Sequence, residues 1–320
     1  MQLTAKNVAI ICPTKNQPEK VLRLLSSVAE LDISPHQVII ADGGHDLKRR
    51  LVPHTTVLNL TCLYSPEPGQ ILQRNHALGF LDDEIRLVLY LDDDMTLDRN
   101  SLTKILAFWN FESGKKERLL AGVSLNVVDL PKLRPSLIRK LFFLQLEPAG
   151  GVSKSGYCIP YAPTQKSIET SWLLGGATLW SRDILEKYRH PINFPTRWAV
   201  CEDLMYSFPL SRNYRLMVAA DAHAYHNETY SELSFKQGVF YGLSGAIMRY
   251  HFIKQNDGFK TWAYLWMTIG IIVGNLVRGV LGSPRHLGLC LGGVRGLILT
   301  LKCSLLKQDS VTLAKSLFDR

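Results

Sequence analysis

Asp92, Asp93 and Asp94 stand in a row behind the apolar run Leu87-Val88-Leu89-Tyr90-Leu91. Such a run reads as a buried strand, and the ends of strands are where α/β sheets build their sites. Three carboxylates crowded at one strand end repel one another unless a cation or a proton neutralises them. A divalent hard cation takes oxygen ligands and brings phosphates with it, so the trio points to chemistry on a phosphate-bearing substrate. An Asp-rich turn would have the same composition, with Asp98, Asn100 and Ser101 acting as caps ahead of Leu102.

The elements that must position these residues follow from periodicity. Residues 8–12 (Val-Ala-Ile-Ile-Cys) predict a buried strand. Residues 18–31 predict a helix with Val21, Leu24, Leu25, Val28 and Leu31 on one face. Residues 38–41 predict a second strand ended by Asp42-Gly43-Gly44, residues 58–64 a third, residues 70–80 a helix, and residues 87–91 the strand that carries the aspartates. Near-continuous apolar strands alternating with helices imply a mostly parallel sheet covered on both faces. Further on, residues 119–127 and 172–180 are strand candidates. The proline-containing stretch 130–170, with its amphipathic segment 137–143, predicts an excursion outside the sheet.

The chain has 320 residues, 46% of them hydrophobic, which is enough to bury a large core. Its formal charge is +9, and residues 231–320 hold eleven Lys and Arg against four Asp and Glu, or +7 of that excess. Residues 261–277 contain no charge, and Trp262, Tyr264 and Trp266 cluster at their start, as interfacial aromatics do. A second apolar stretch, 287–301, is interrupted by Arg295 and glycines. This predicts a helical, basic and apolar region over 231–320 that associates with a membrane, either as a short hairpin or lying on the surface. Arg249, Lys254, Lys260, Arg278, Arg285 and Arg295 would meet anionic lipid there. Because these residues flank apolar runs, with no basic patch interleaved with spaced aromatics, a nucleic-acid partner is disfavoured. The six cysteines are scattered with no zinc spacing, which predicts reduced thiols in a cytosolic-facing protein. The first seven residues run straight into a strand, and no signal peptide is expected.

Four segments combine with the aspartates: Pro13-Thr14-Lys15-Asn16, Asp42-Gly43-Gly44, Gln73-Arg74-Asn75 and Cys201-Glu202-Asp203-Leu204. In this order and spacing, over about residues 7–230, the chain resembles family 2 glycosyltransferases of the GT-A fold. The resemblance implies a Rossmann-like α/β catalytic domain over 1–230. Its nucleotide-binding half would be 1–100 and its acceptor half 101–230.

It also implies roles. Pro13, Thr14 and Asn16 would contact the base and ribose of a nucleotide diphosphate sugar, Asp42 would accept from a base N–H, and Arg74 would face the nucleotide. Asp94 and then Asp92 match the DXD metal position, with Asp93 toward ribose or sugar. The ion would be Mg²⁺ or Mn²⁺, with His226 reaching the metal or diphosphate and His223 competing for that role. Trp172 would stack on a sugar face, and Gly175 and Gly176 would admit the donor. Asp203 would be the catalytic base, with Glu202 its partner, since direct displacement at an anomeric carbon requires the attacking hydroxyl to lose its proton. The chain departs from the family at Ala41-Asp42-Gly43-Gly44-His45, where Asp-Asp-Gly-Ser is more usual. It also lacks the Gln-x-x-Arg-Trp of processive synthases, which implies addition of a single sugar.

The expected activity is therefore inverting transfer of one sugar to a hydroxyl of a lipid-linked or glycan acceptor. It would take place at the cytoplasmic face of the membrane, in surface polysaccharide or glycolipid assembly. Two other readings remain: an inactive GT-A scaffold of a membrane assembly, and a Mg-dependent nucleotidyltransferase. The latter would need a phosphate loop that Pro13-Thr14-Lys15-Asn16 does not supply.

Overall fold

A computed structural model of the chain describes residues 2–44, 47–67, 69–115, 118–132, 136–145, 148–190, 200–227 and 234–315. His45 and the boundary expected at 230/231 lie outside the described residues. The elements in chain order begin with β1 (Val8–Thr14), α1 (Pro18–Ala29), β2 (Gln37–Asp42), α2 (Leu47–Leu51), β3 (Leu60–Tyr64) and α3 (Gln70–Ala77). Next come β4 (Leu87–Leu91), β5 (Met95–Leu97), α4 (Ser101–Ser113), β6 (Leu120–Val127), α5 (Leu137–Leu141), β7 (Ile168–Thr170) and β8 (Ala177–Ser181). The chain continues with α6 (Arg182–Lys187), α7 (Glu202–Ser211) and β9 (Arg215–His226), and ends with α8 (Phe235–Gln255), α9 (Thr261–Val280), α10 (Pro284–Leu305) and α11 (Ser310–Lys315).

Among the described residues the strands form one mixed sheet in the order β3-β2-β1-β4-β8-β6-β9-β5, with β7 paired to β9. The amino-terminal strands β3, β2, β1 and β4 are parallel, whereas β8 enters antiparallel between β4 and β6. Alternation along β1 explains why the sheet is covered on both faces. Val8, Ile10 and Cys12 pack with Val21, Leu24, Leu25 and Val28 of α1, while Ala9 and Ile11 pack with Ala77, Ile85 and Tyr90 on the other face. The Pro at the start of α1 costs no hydrogen bond in the first turn.

The structure differs from the sequence expectation in three places. The stretch 172–180 is a strand only from Ala177; residues 172–176 are a loop whose glycines approach the β4 end. The excursion 130–170 does contribute to the sheet, because β7 pairs antiparallel with β9 through Ile168↔Val218. Tyr264 is not an interfacial aromatic: it is 0% exposed and its hydroxyl donates to the Ala246 carbonyl at 2.9 Å. At 100° per residue Trp262 and Trp266 share the outer face of α9, while Tyr264 turns inward.

Among the described residues two helices, α9 with 20 residues and α10 with 22, are long and apolar enough to cross a membrane. The inner face of α9 is not detached from the sheet-containing part of the chain, since Tyr264 and Met267 pack with Tyr161, Trp172, Leu204 and Val218. α8 and α10 pack backbone to backbone; a Cβ on Gly292 would sit 2.1 Å from the Val239 carbonyl oxygen. All six cysteines are free thiols, with Cys12 and Cys303 buried.

Candidate active site

Parallel pairing sets the carboxyl ends of β1, β2 and β4 side by side, with Thr14 opposite Asp42 and Ile11 opposite Tyr90. The chain leaves β2 through a tight turn in which the Gly44 N–H donates to Asp42 Oδ1 at 2.8 Å and the Gly43 N–H donates to the Thr14 carbonyl at 2.9 Å. Gln73 of α3 ties these ends together by donating to both the Thr14 and Ala41 carbonyls at 2.6 Å.

The three aspartates fan out from the β4 end in different directions. Asp93 accepts from the Thr14 hydroxyl at 2.5 Å. Burial pushes its carboxyl up to about 6, against the opposing pull of that hydrogen bond. Asp94 Oδ2 lies 3.7 Å from His226 Nε2 and 4.0 Å from the Lys20 ammonium. That meeting depends on the short β5, whose Met95 pairs with His226 of β9. Asp92, expected as a second metal ligand, faces Arg74, which donates to its Oδ1 at 2.8 Å, and Gln70, which donates at 2.5 Å.

Arg74 also differs from its expected place. It is 0% exposed, its second nitrogen donates to Glu202 Oε1 at 3.2 Å, and its guanidinium lies 5.1 Å from the Tyr90 ring centre. It is thus a strut between two acidic segments, not an open phosphate contact. Neighbouring Asn75 donates to the His190 carbonyl at 2.9 Å and so orients that loop.

On the opposite wall, Glu202 and Asp203 open α7. Cys201 before them takes a left-handed φ of 63°. The Asp203 N–H donates to Glu202 Oε2 at 2.9 Å and the Leu204 N–H to Asp203 Oδ1 at 2.7 Å. Both carboxyls are therefore tied to the first turn of the helix while standing over the cleft. Burial raises the proton affinity of both, the Asp203 charge adds to this at Glu202 and the Asp92 charge at Asp203, and the Arg74 charge works against it.

Asp92, Gly175, Gly176, Glu202, Asp203 and His226 line one cavity of about 270 Å³, closed further by Gln70, Met95, Val127, Leu130 and Leu174. At Gly176 a Cβ would lie 2.1 Å from Asp92 Oδ2, so only glycine permits this approach. Thr14, Asn16, Asp42 and Asp93 belong to the strand ends beside this cavity, not to its lining. Trp172 does not reach it: the indole is 5% exposed, packs 5.0 Å from the Tyr161 ring and donates to the Ile159 carbonyl at 3.2 Å. His223 lies outside it, bound to Asp98 at 3.0 Å. Gln70 was not singled out in the sequence; its signal was its place one helical turn before Arg74, on the same face.

Among the described residues no group of three or more His, Cys, Asp or Glu is arranged around a metal position. The Asp94 carboxylate and His226 imidazole form a pair of donors whose chemistry suits Mg²⁺ or Mn²⁺ when substrate oxygens complete the shell.

Residues 9–114 match the model of the family described as "Glycosyl transferase family 2". No protein of curated function matches the sequence. Among solved structures, S. aureus TarS aligns at 17% identity and a TM-score of 0.51, over 83% of this chain and 43% of that one. The chain thus spans less than half of that longer TarS chain. TarS 1–349 aligns at 15% identity and a TM-score of 0.52, covering 94% and 92% of the two chains. The mannosyltransferase PcManGT from Pyrobaculum calidifontis, in complex with GDP-Man and Mn²⁺, aligns at 15% identity and a TM-score of 0.55, covering 94% and 87%. Such identities speak for a shared fold. Residues 9–114 thus resemble the family 2 glycosyltransferases, and over nearly its whole length the chain has the GT-A fold of these solved structures.

Proposed function

We propose that the protein transfers one sugar, with inversion, from a nucleotide diphosphate sugar to a hydroxyl of a lipid-linked or glycan acceptor. The observation that carries this reading is the Glu202–Asp203 pair, held over the same cavity as the β4 aspartate end. The acceptor oxygen attacks the anomeric carbon as its proton passes to Asp203. The bond from that carbon to the diphosphate oxygen breaks, and the nucleoside diphosphate leaves with the electron pair. Thr14, Asn16, Asp42 and Asp93, at adjoining strand ends, receive the nucleoside side of the donor. Asp94 and His226 would hold a divalent ion, which would supply charge stabilisation for the departing diphosphate. The Mn²⁺ and GDP-Man of the Pyrobaculum structure support a metal and a nucleotide sugar without selecting the base.

The test is a panel of nucleotide sugars assayed for nucleoside diphosphate release with Mn²⁺, with Mg²⁺ and with EDTA. The expected result is metal-dependent release from one or a few donors. No release from any donor, with folded protein and metal present, would instead support an inactive scaffold.

The raised proton affinity of the acidic pair sets a pH dependence. A base must be ionised, so activity falls as pH drops through the apparent pKa of the pair. That limb should lie above the ordinary carboxylate value of about 4. A kcat profile flat down to pH ~4 would contradict Asp203 as the base in this setting.

The setting proposed is the cytoplasmic membrane face, in assembly of a surface polysaccharide or glycolipid. Val273 and Val277 stand on the exposed face of α9. Because the inner face of α9 is part of the core, point substitutions test membrane contact better than deletion of the helix. Val273→Asp with Val277→Asp should release the protein from the membrane fraction. A charge at the centre of a bilayer costs about 2.5–3.5 kcal/mol, whereas on a water-exposed helix it costs within about 0.5 kcal/mol. Unchanged partitioning in a sedimentation assay would remove the bilayer from the proposal.

A further inference from the structure

Among the described residues, two arginines outside the cavity have no counter-charge. Arg139 stands on α5, where it donates to the Leu144 carbonyl at 3.3 Å and to the Tyr157 hydroxyl at 3.5 Å. Arg249 stands on α8, its guanidinium carbon 5.3 Å from the centre of the Tyr157 ring. The Nε of each is buried with no hydrogen-bond partner, and among the described residues neither forms an ion pair. A buried guanidinium without an anion is expensive, and a planar fork of donors matches a phosphate.

The platform between them is a hydrogen-bonded turn. Tyr157 sits in a short hairpin closed by the Ser153 N–H donating to the Tyr157 carbonyl at 2.9 Å and the Gly156 N–H donating to the Ser153 carbonyl at 2.8 Å. We infer that Arg139 and Arg249, on either side of Tyr157, bind the phosphate of a membrane-held acceptor.

Two neighbourhoods give this site its direction. On one side lies the catalytic pair: Cys201 immediately precedes Glu202 and packs against the cluster of Ile247 and Met248, which adjoin Arg249 on α8. On the other side lies an apolar surface. α5 exposes Leu137, Ile138 and Leu141 and is fastened to α9. The Trp266 indole donates to the Leu141 carbonyl at 2.9 Å and stacks on Phe142 at 4.8 Å. The Lys154 ammonium lies 4.5 Å from the Phe143 ring and 4.7 Å from the Trp262 ring, adding a third cation at that edge. A phosphate on the arginines would place its lipid tail along α5 and α9 and its head toward Asp203.

The inference deepens the glycosyl-transfer reading by naming the acceptor's anion, and its test is independent of the donor. The full-length protein is mixed with phosphatidylcholine vesicles carrying a minor fraction of a long-chain isoprenyl monophosphate, the uncharged isoprenol, or phosphatidylglycerol, and binding is read by flotation. Binding to the monophosphate is expected to be roughly tenfold tighter than to either control, and Arg139→Gln and Arg249→Gln should each remove most of that difference. Arg249→Lys, which keeps the charge and loses the fork, should fall between, and melting temperatures check that the variants fold. Equal binding to all three vesicles by the unaltered protein overturns the site without any variant. So does a preference that survives both Gln substitutions, or inorganic phosphate binding as tightly as the lipid form. If no nucleotide sugar is turned over, the transfer reading fails, while the vesicle result still decides the phosphate site.

Discussion

Asp203→Asn is expected to leave donor affinity within about twofold and to lower sugar transfer by roughly 10²–10⁴-fold, the usual contribution of a positioned general base. The substitution is close to isosteric. An Asn oxygen can still accept from the Leu204 N–H that Asp203 Oδ1 meets at 2.7 Å, so the first turn of α7 keeps that hydrogen bond. What is lost is the ability to take a proton. Glu202 is a poor substitute because its two oxygens are engaged by Arg74 at 3.2 Å and by the Asp203 N–H at 2.9 Å.

Removing one of two repelling carboxylates should also hold or raise stability, which separates a lost base from a lost fold. The measurements are kcat, donor Kd by calorimetry and Tm on the same preparation. Unchanged kcat would take the base role away from Asp203. Equal loss of kcat and donor binding would make it a donor ligand instead.

The parts of this site that were legible in the sequence are contiguous. Asp92-Asp93-Asp94, Asp42-Gly43-Gly44 and Glu202-Asp203 each sit at the end of one element, and the strand periodicity before the first two fixes where they emerge. What a side chain meets was not legible, because each partner arrives by tertiary pairing. Arg74 meets Glu202 across 128 positions of chain, and His226 reaches Asp94 only because the three-residue β5 pairs with β9. No local pattern separates an Arg that faces a phosphate from one that braces two carboxylates. Trp172 shows the same limit: beside two glycines it resembles a sugar platform, yet the Ile159 carbonyl and Tyr161 claim it for the core. Tyr264 is a different case. Its inward turn follows from helical period alone, and counting aromatics without placing them on the helix hides it.

Arg74→Met tests the brace directly and has the second large effect. The side chain is fully buried between Asp92 at 2.8 Å and Glu202 at 3.2 Å, so its loss leaves two carboxylates facing each other near Asp203. Breaking a buried pair on one side typically costs about 3–5 kcal/mol.

The loss should depend on pH in a fixed direction. The Arg74 charge lowers the proton affinity of Glu202 and Asp203, which burial has already raised. Without it, their folded-state pKa values move further above the unfolded values of about 4. A carboxyl with a raised folded pKa costs stability above its unfolded pKa, and that cost is relieved as pH falls and the folded group keeps its proton. The gap in urea midpoint between the unaltered protein and Arg74→Met should therefore be wide at pH 8 and narrow toward pH 5. Arg74→Lys should recover part of it, having one charge but no fork to span both acids. Were Arg74 a phosphate contact instead, the methionine variant would keep its stability at both pH values and lose donor affinity alone. That result would dismantle the brace and return the residue to the nucleotide side of the cleft.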